Sequence, residues 1–188
     1  MKKLLFFDCE TTGLDPKLND IIQFAYIIDI DGEVKEEGNI FMQPFSYDNV
    51  SQKALDINRS TIDKIKTYQS SYDGYKQIIN VFNKYIDKYD KNDRFSPAGY
   101  NVGFDREFLQ QFFLKHNNKF CWGYVDYNAI DPMPILRMLT LKGSLKMSNH
   151  KLITACENFK IPINTHDALS DIRATRELTY KLMEDYLK

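Results

Sequence analysis

Apolar positions crowd the first forty residues. Leu4-Leu5-Phe6-Phe7 is a short continuous run of the kind that makes a buried strand, and it leads into Asp8, Cys9, Glu10 and then Thr11-Thr12-Gly13. Ile21 to Ile30 reads as a second strand, Asp31-Gly32 as a two-residue turn, and Glu33 to Phe41 as a third, more exposed strand. This predicts an antiparallel hairpin beside the first strand. Residues 44–72 lack a sustained period, with short helical pieces near Ser51–Ile57 and Thr61–Lys66. From Tyr75 the pattern changes: Tyr75, Ile78, Ile79, Phe82, Tyr85, Ile86 and Tyr89 recur at helical spacing, predicting a core-facing helix of about four turns. A charged turn follows, then a short strand over Phe95 to Asn101 and a helix with Phe104, Phe108, Leu109, Phe112 and Phe113 on its apolar face. Val125 falls in a further strand. Asp131-Pro132 is an N-cap and first-turn pair for the next helix, and Ser148 is expected to cap another that carries Leu152, Ile153, Cys156 and Phe159. Leu169, Ile172, Leu178, Leu182 and Tyr186 predict a long closing helix. Strands first, then helices mixed with strands, give an α/β arrangement with a mixed sheet flanked by helices.

The 188 residues suit one domain with a full core, and a hydrophobic content of 43% supports this. A formal charge of −1 provides no overall basic field, which disfavours a protein that coats nucleic acid. It leaves room for an enzyme with a local, cation-assisted groove. Three cysteines, Cys9, Cys121 and Cys156, are odd in number and lack metal-binding spacing, so reduced buried thiols are expected. No run approaches a membrane span and no apolar leader follows the two N-terminal lysines, so the expected location is cytoplasmic, with no membrane partner.

Polar groups at element ends carry the chemistry. Asp8 and Glu10, two apart on a strand, point to one face at the edge of an apolar core. Side by side they would repel and hold protons, unless a cation lies between them or solvent, Lys or Arg relieves them. Asp105 follows a strand and opens a helix. His166 precedes the final helix and Asp171 lies on its first turns; each has an ordinary capping explanation when taken singly. His116 and His150 read as satisfied structural residues. Element ends along one sheet edge are where α/β proteins build sites.

Phe7-Asp8-Cys9-Glu10-Thr11-Thr12-Gly13-Leu14, Asn101-Val102-Gly103-Phe104-Asp105 and His166-Asp167-Ala168-Leu169-Ser170-Asp171 resemble, in order, the three motifs of the DEDDh 3′–5′ exonucleases. That family includes polymerase proofreading subunits, RNase T and oligoribonuclease, and the resemblance spans nearly the whole chain. It implies a ribonuclease H-like fold. It also implies two Mg²⁺ or Mn²⁺ ions held by Asp8, Glu10, Asp105 and Asp171, with His166 as general base. Two such cations would stabilise the attacking and leaving oxygens of a phosphodiester. The implied substrate is the 3′ end of single-stranded DNA or RNA, released as nucleoside 5′-monophosphates. Cys9, Thr11 and Thr12 would hold the terminal sugar and Leu14 would wedge between bases. Phe104 would pack on the terminal base, or equally serve the core, and Asn101 belongs with the same group. Ile57 and Asn58 match the family segment that flanks the terminal nucleotide. Arg59 stands where many members have Gly, a departure that bears on the shape of that loop. A DNA polymerase or a second copy of the chain are the partners the resemblance suggests. The competing class is a non-catalytic module gripping a nucleic-acid end or a polymerase, and the intact acids and His speak against it.

Overall fold

The structure, a computed structural model, describes residues 2–164 and 167–186. Three long strands form in the predicted places: β1 (Lys3–Thr11), β2 (Ile21–Ile30) and β3 (Glu33–Phe41). A short strand, β4 (Ser96–Ala98), completes a sheet of order β3-β2-β1-β4. β2 runs antiparallel to both neighbours, whereas β4 lies parallel to β1, so the sheet is mixed. The hairpin turns at Asp31 and Gly32, both with positive φ, and the Asp29 carboxylate accepts from the Gly32 N–H at 2.9 Å. Val125 and Ile130 join the sheet only through single parallel bridges to Phe95 and Ala98, so the strand expected at Val125 is reduced to isolated contacts.

Period-2 alternation divides β1 between two cores. Leu5, Phe7 and Cys9 face α3 (Ser71–Tyr85) and α4 (Gly103–Lys115), packing with Ile78, Phe82, Phe108 and Phe113. Phe6 turns the other way, onto Ala168 and Ile172 of α8 (Ala168–Tyr186). Each buried aromatic of this kind contributes roughly 2–3 kcal/mol by leaving water. β2 is buried on both faces and still carries a charge: Asp29 is fully buried, bonded to Arg176 Nε at 2.7 Å and Tyr180 Oη at 3.0 Å. That cluster clamps α8 to the sheet and fixes where the first turn of α8 falls.

Around this frame lie α1 (Gln52–Ile57), α2 (Ile62–Lys66), α5 (Cys121–Tyr124), α6 (Pro132–Lys142) and α7 (Leu152–Phe159). Asp131 caps α6 as expected, accepting from Met133 N at 2.9 Å. Two boundaries differ from the sequence expectation. α3 stops at Tyr85 rather than near Tyr89, because Ile86 adopts an extended conformation and stays buried while Tyr89 is left 85% exposed. Ser148 does not cap α7; the Asn149 side chain does the equivalent work, accepting from Lys151 N and Thr154 Oγ1. Among the described residues no helix is long and apolar enough to cross a membrane.

Candidate active site

The site forms where β1 runs out. Asp8 and Glu10 share the face of β1 that carries Phe6, and so lie toward α8. The ladder with β2 slips between Glu10 and Thr11, and the chain then folds into a tight turn. Thr11 Oγ1 donates to Gly13 O at 2.7 Å, while Thr12 exchanges bonds with Asp20 through N–H to O (2.9 Å) and N–H to Oγ1 (2.9 Å). Gly13 is required here: a Cβ would sit 2.4 Å from the Asn19 side chain. Asp20 in turn is held by Lys115 Nζ at 2.7 Å and by Ser46 N at 3.0 Å, tying the turn to the end of α4.

β4 ends at Ala98, two pairs short of the acids, which leaves the side of β1 beyond it open. Gly99 continues from β4 so close to β1 that a Cβ would lie 2.9 Å from Phe7 O. Asn101, exposed and at φ 58°, then turns the chain into α4, a conformation that Asn tolerates. The first turn of α4 thereby presents Asp105, whose Oδ1 accepts from Cys9 N at 2.9 Å.

Asp8, Glu10, Asp105 and Asp171 thus come close enough to act on one another. Burial, then the charges of Asp105, Glu10 and Asp171, push the Asp8 carboxyl well above its ordinary value. Burial followed by Asp171 pushes Glu10 up to about 7. Asp105 also rises to about 7, with burial as the largest cause and the Cys9 N–H opposing it. No Lys or Arg appears among the groups acting on these three. Among the described residues the acids do not close into a ready three-ligand cage. The donor set nevertheless fits a hard divalent cation: oxygen ligands only, crowded negative charge that a cation would relieve, and open positions for water and phosphate. His166 lies outside the described residues.

Beside the acids opens a cleft of about 310 Å³. Cys9, Glu10, Thr11, Leu14, Ile57, Asn58 and Phe104 are among the residues that line it. Leu14 is 83% exposed and Ile57 55%, and the two sit together in the lining of one cleft. Phe104 serves both of its readings, since it lines the cleft and packs against Phe108 in a tilted ring pair with centroids 4.7 Å apart. Asn58 Nδ2 donates to Thr11 O at 2.9 Å and ties the end of α1 to the end of β1. Thr12, almost fully buried, and Asn101 do not line the cleft. Asn19, Ser51 and Lys53 do, although nothing in the sequence pattern singled them out for it. For Asn19 a signal existed: a polar residue between a Gly turn and an apolar strand commonly bonds backbone, as it does here to Asp15 N at 2.9 Å.

Arg59 ends α1. Its φ is +49°, and the N–H groups of Arg59 and Ser60 reach back to Asp56 O and Leu55 O at 3.3 and 2.9 Å. This is the left-handed turn that usually takes Gly, here held by a larger residue.

An exonuclease family model, RNase_T, matches residues 5–179. The PolC-type DNA polymerase III of Halalkalibacterium halodurans is 28% identical over 186 residues, and that of Lacticaseibacillus paracasei is 27% identical over 183. Each alignment covers 97% of this chain but only 11% of the polymerase. The crystal structure of E. coli Exonuclease I in complex with a dT13 oligonucleotide superposes with a TM-score of 0.80 at 20% identity, over 97% of this chain and 41% of that one. The fold is therefore that of Exonuclease I, and this chain spans less than half of those proteins. With a family pattern that runs from the middle of β1 into the last helix, the chain belongs to the RNase T exonuclease family.

Proposed function

We propose that this chain is a metal-dependent 3′–5′ exonuclease that removes nucleoside 5′-monophosphates from single-stranded ends. The observation that carries the reading is the meeting of Asp8, Glu10, Asp105 and Asp171 at the mouth of an apolar-walled cleft. Asp8, Glu10, Asp105 and Asp171 would hold the cations. Bound divalent ions would supply positive charge to the attacking and leaving oxygens of the phosphodiester. The Cys9–Asp105 hydrogen bond fixes the Asp105 carboxylate against the backbone of β1. Leu14, Ile57 and Phe104 offer apolar surfaces to a terminal base and its neighbour, a contact tolerant of base identity. Thr11 and Cys9 lie where the terminal sugar would meet the wall, and Asn58 holds that wall in register. His166 takes the role of proton acceptor for the attacking water, because its side chain alone has an ordinary pKa near neutrality. The similarity to PolC-type polymerases favours proofreading or repair of DNA ends as the setting, with a polymerase as a candidate partner.

The test is a panel of 3′-labelled single-stranded DNA, single-stranded RNA and mismatched duplex, in Mg²⁺ or Mn²⁺ and in chelator. Turnover from the 3′ end, lost in chelator and in Asp8→Ala, is expected. Cutting of circular strands, or undiminished turnover in excess chelator, would overturn the reading.

A further inference from the structure

A second cleft, of about 730 Å³, opens between the segment that leads into β4 and the connection from α4 into α5. Asp93, next to Arg94 of this cleft, bonds Lys3 at the start of β1. Asp8 is five strand residues further on, so roughly 17 Å separates the two places.

Lys88, Lys91, Arg94 and Lys119 supply four positive charges to this cleft, and no Asp or Glu lines it. Among the described residues none of the four makes an ion pair. The neighbouring acids are turned to local tasks: Asp87 accepts from Tyr89 N, Asp90 from Asn92 N, and Asp93 holds Lys3 and Asp87 N. Aromatic rings are interleaved with the cations. Tyr89 is 85% exposed and Phe120 73%, Trp122 is half-buried, and Tyr124 is a buried part of the lining. Lys88 Nζ lies 5.3 Å from the Tyr89 ring and 5.9 Å from that of Tyr124. The chain is near neutral, so this concentration of charge is local rather than a consequence of composition.

We propose that this cleft is a second binding site for single-stranded nucleic acid, holding part of a strand away from the cutting site. Four unpaired cations match the phosphates, and exposed ring faces match unstacked bases; a duplex would hide its bases from them. An acidic peptide would use the cations but leaves the exposed faces of Tyr89 and Phe120 without flat partners. The proposal rests on the reading of the chain as acting on single strands, but needs no catalysis by the acids.

Trp122 is the chain's only tryptophan, so its fluorescence reports on this cleft directly. An oligothymidylate about fifteen nucleotides long, titrated in chelator to silence turnover, should quench it saturably. Affinity should fall with salt on a log–log slope of about −3, as neutralising four phosphates of a single strand requires. In Lys91→Glu/Lys119→Glu, both exposed and so free to change without unfolding, affinity should drop at least about tenfold and the slope should weaken by about 1.4. With metal present, that variant should raise KM for the long strand while leaving kcat, and KM for a trinucleotide, unchanged. Unaltered Trp122 fluorescence, equal quenching in wild type and variant, or quenching by an acidic peptide but not by the oligonucleotide would each overturn the proposal. Absence of turnover on every substrate would overturn the nuclease reading alone, because the quenching is read without catalysis.

Discussion

Replacing Glu10 by Gln tests whether crowded carboxylates store destabilising free energy in the metal-free protein. In the folded chain, burial and Asp171 raise Glu10 from its ordinary 4.5 to about 7. Between those values the folded state binds more protons than the unfolded chain, so stability must fall as pH rises through the window. At about 1.4 kcal/mol per pH unit the full rise corresponds to about 3 kcal/mol. Partial solvent access and relaxation of neighbouring acids reduce this to about 2 kcal/mol. For a chain of this length that is about 4–8 °C in Tm. Asp8 and Asp105 move in the same direction. His116 opposes them, since burial holds its imidazole below 6.5 and it contributes stability that is regained as pH rises. The readout is therefore the difference between wild type and Glu10→Gln in thermal or urea unfolding, in chelator, at pH 5 and pH 8. The variant should exceed wild type only slightly at pH 5, near the foot of the window, and by the full margin at pH 8, and a saturating divalent cation should narrow the gap by stabilising wild type. Equal stability of the two at pH 8 would show that the acids are too far apart or too wet to burden one another.

Arg59→Gly should be more stable than Arg59→Ala by about 1 kcal/mol, because only Gly occupies a φ of +49° without a Cβ clash, and equal unfolding midpoints would count against that strained turn. Leu14→Ala should leave stability within about 0.5 kcal/mol, since the side chain is 83% exposed, yet raise KM for single-stranded oligonucleotides several-fold; an unchanged KM would remove Leu14 from the substrate cleft.

The strands were legible because their signals are local. β2 is a ten-residue strand, apolar except for Gln23 and Asp29 and bounded by Asp31-Gly32, and its limits follow from the sequence to the residue. The pairing of Asp8 with Glu10 follows from strand parity alone, which also dictates that both face α8. Helix ends were harder. Ile86 and Tyr89 continue the spacing of α3, but the period cannot distinguish an apolar residue buried in the last turn from one buried after the chain has straightened. Asn149 outcompetes Ser148 at α7 because the Asx side chain reaches both Lys151 N and Thr154 Oγ1, a geometric contest that pattern does not decide.

Convergence of the four acids depends on residues with no signature of chemistry. Asp105 meets Cys9 N only because β4 stops at Ala98 and Gly99 lets the chain hug the Phe7 carbonyl on its way to α4. Asp171 reaches Asp8 only because α8 is clamped by Asp29, a charge fully buried in an otherwise apolar strand. Removing Arg176 would leave the Asp29 charge buried without its cation, and removing Asp29 would leave the donors of Arg176, Tyr180 and Gly32 unfilled, at a cost of several kcal/mol. It would also free the helix that carries an acid of the site. Within the sequence Asp29 looks like a turn residue and Arg176 like a solvated helix face. The motifs thus identify which acids belong together, while the clamp and the close backbone approach determine that they meet.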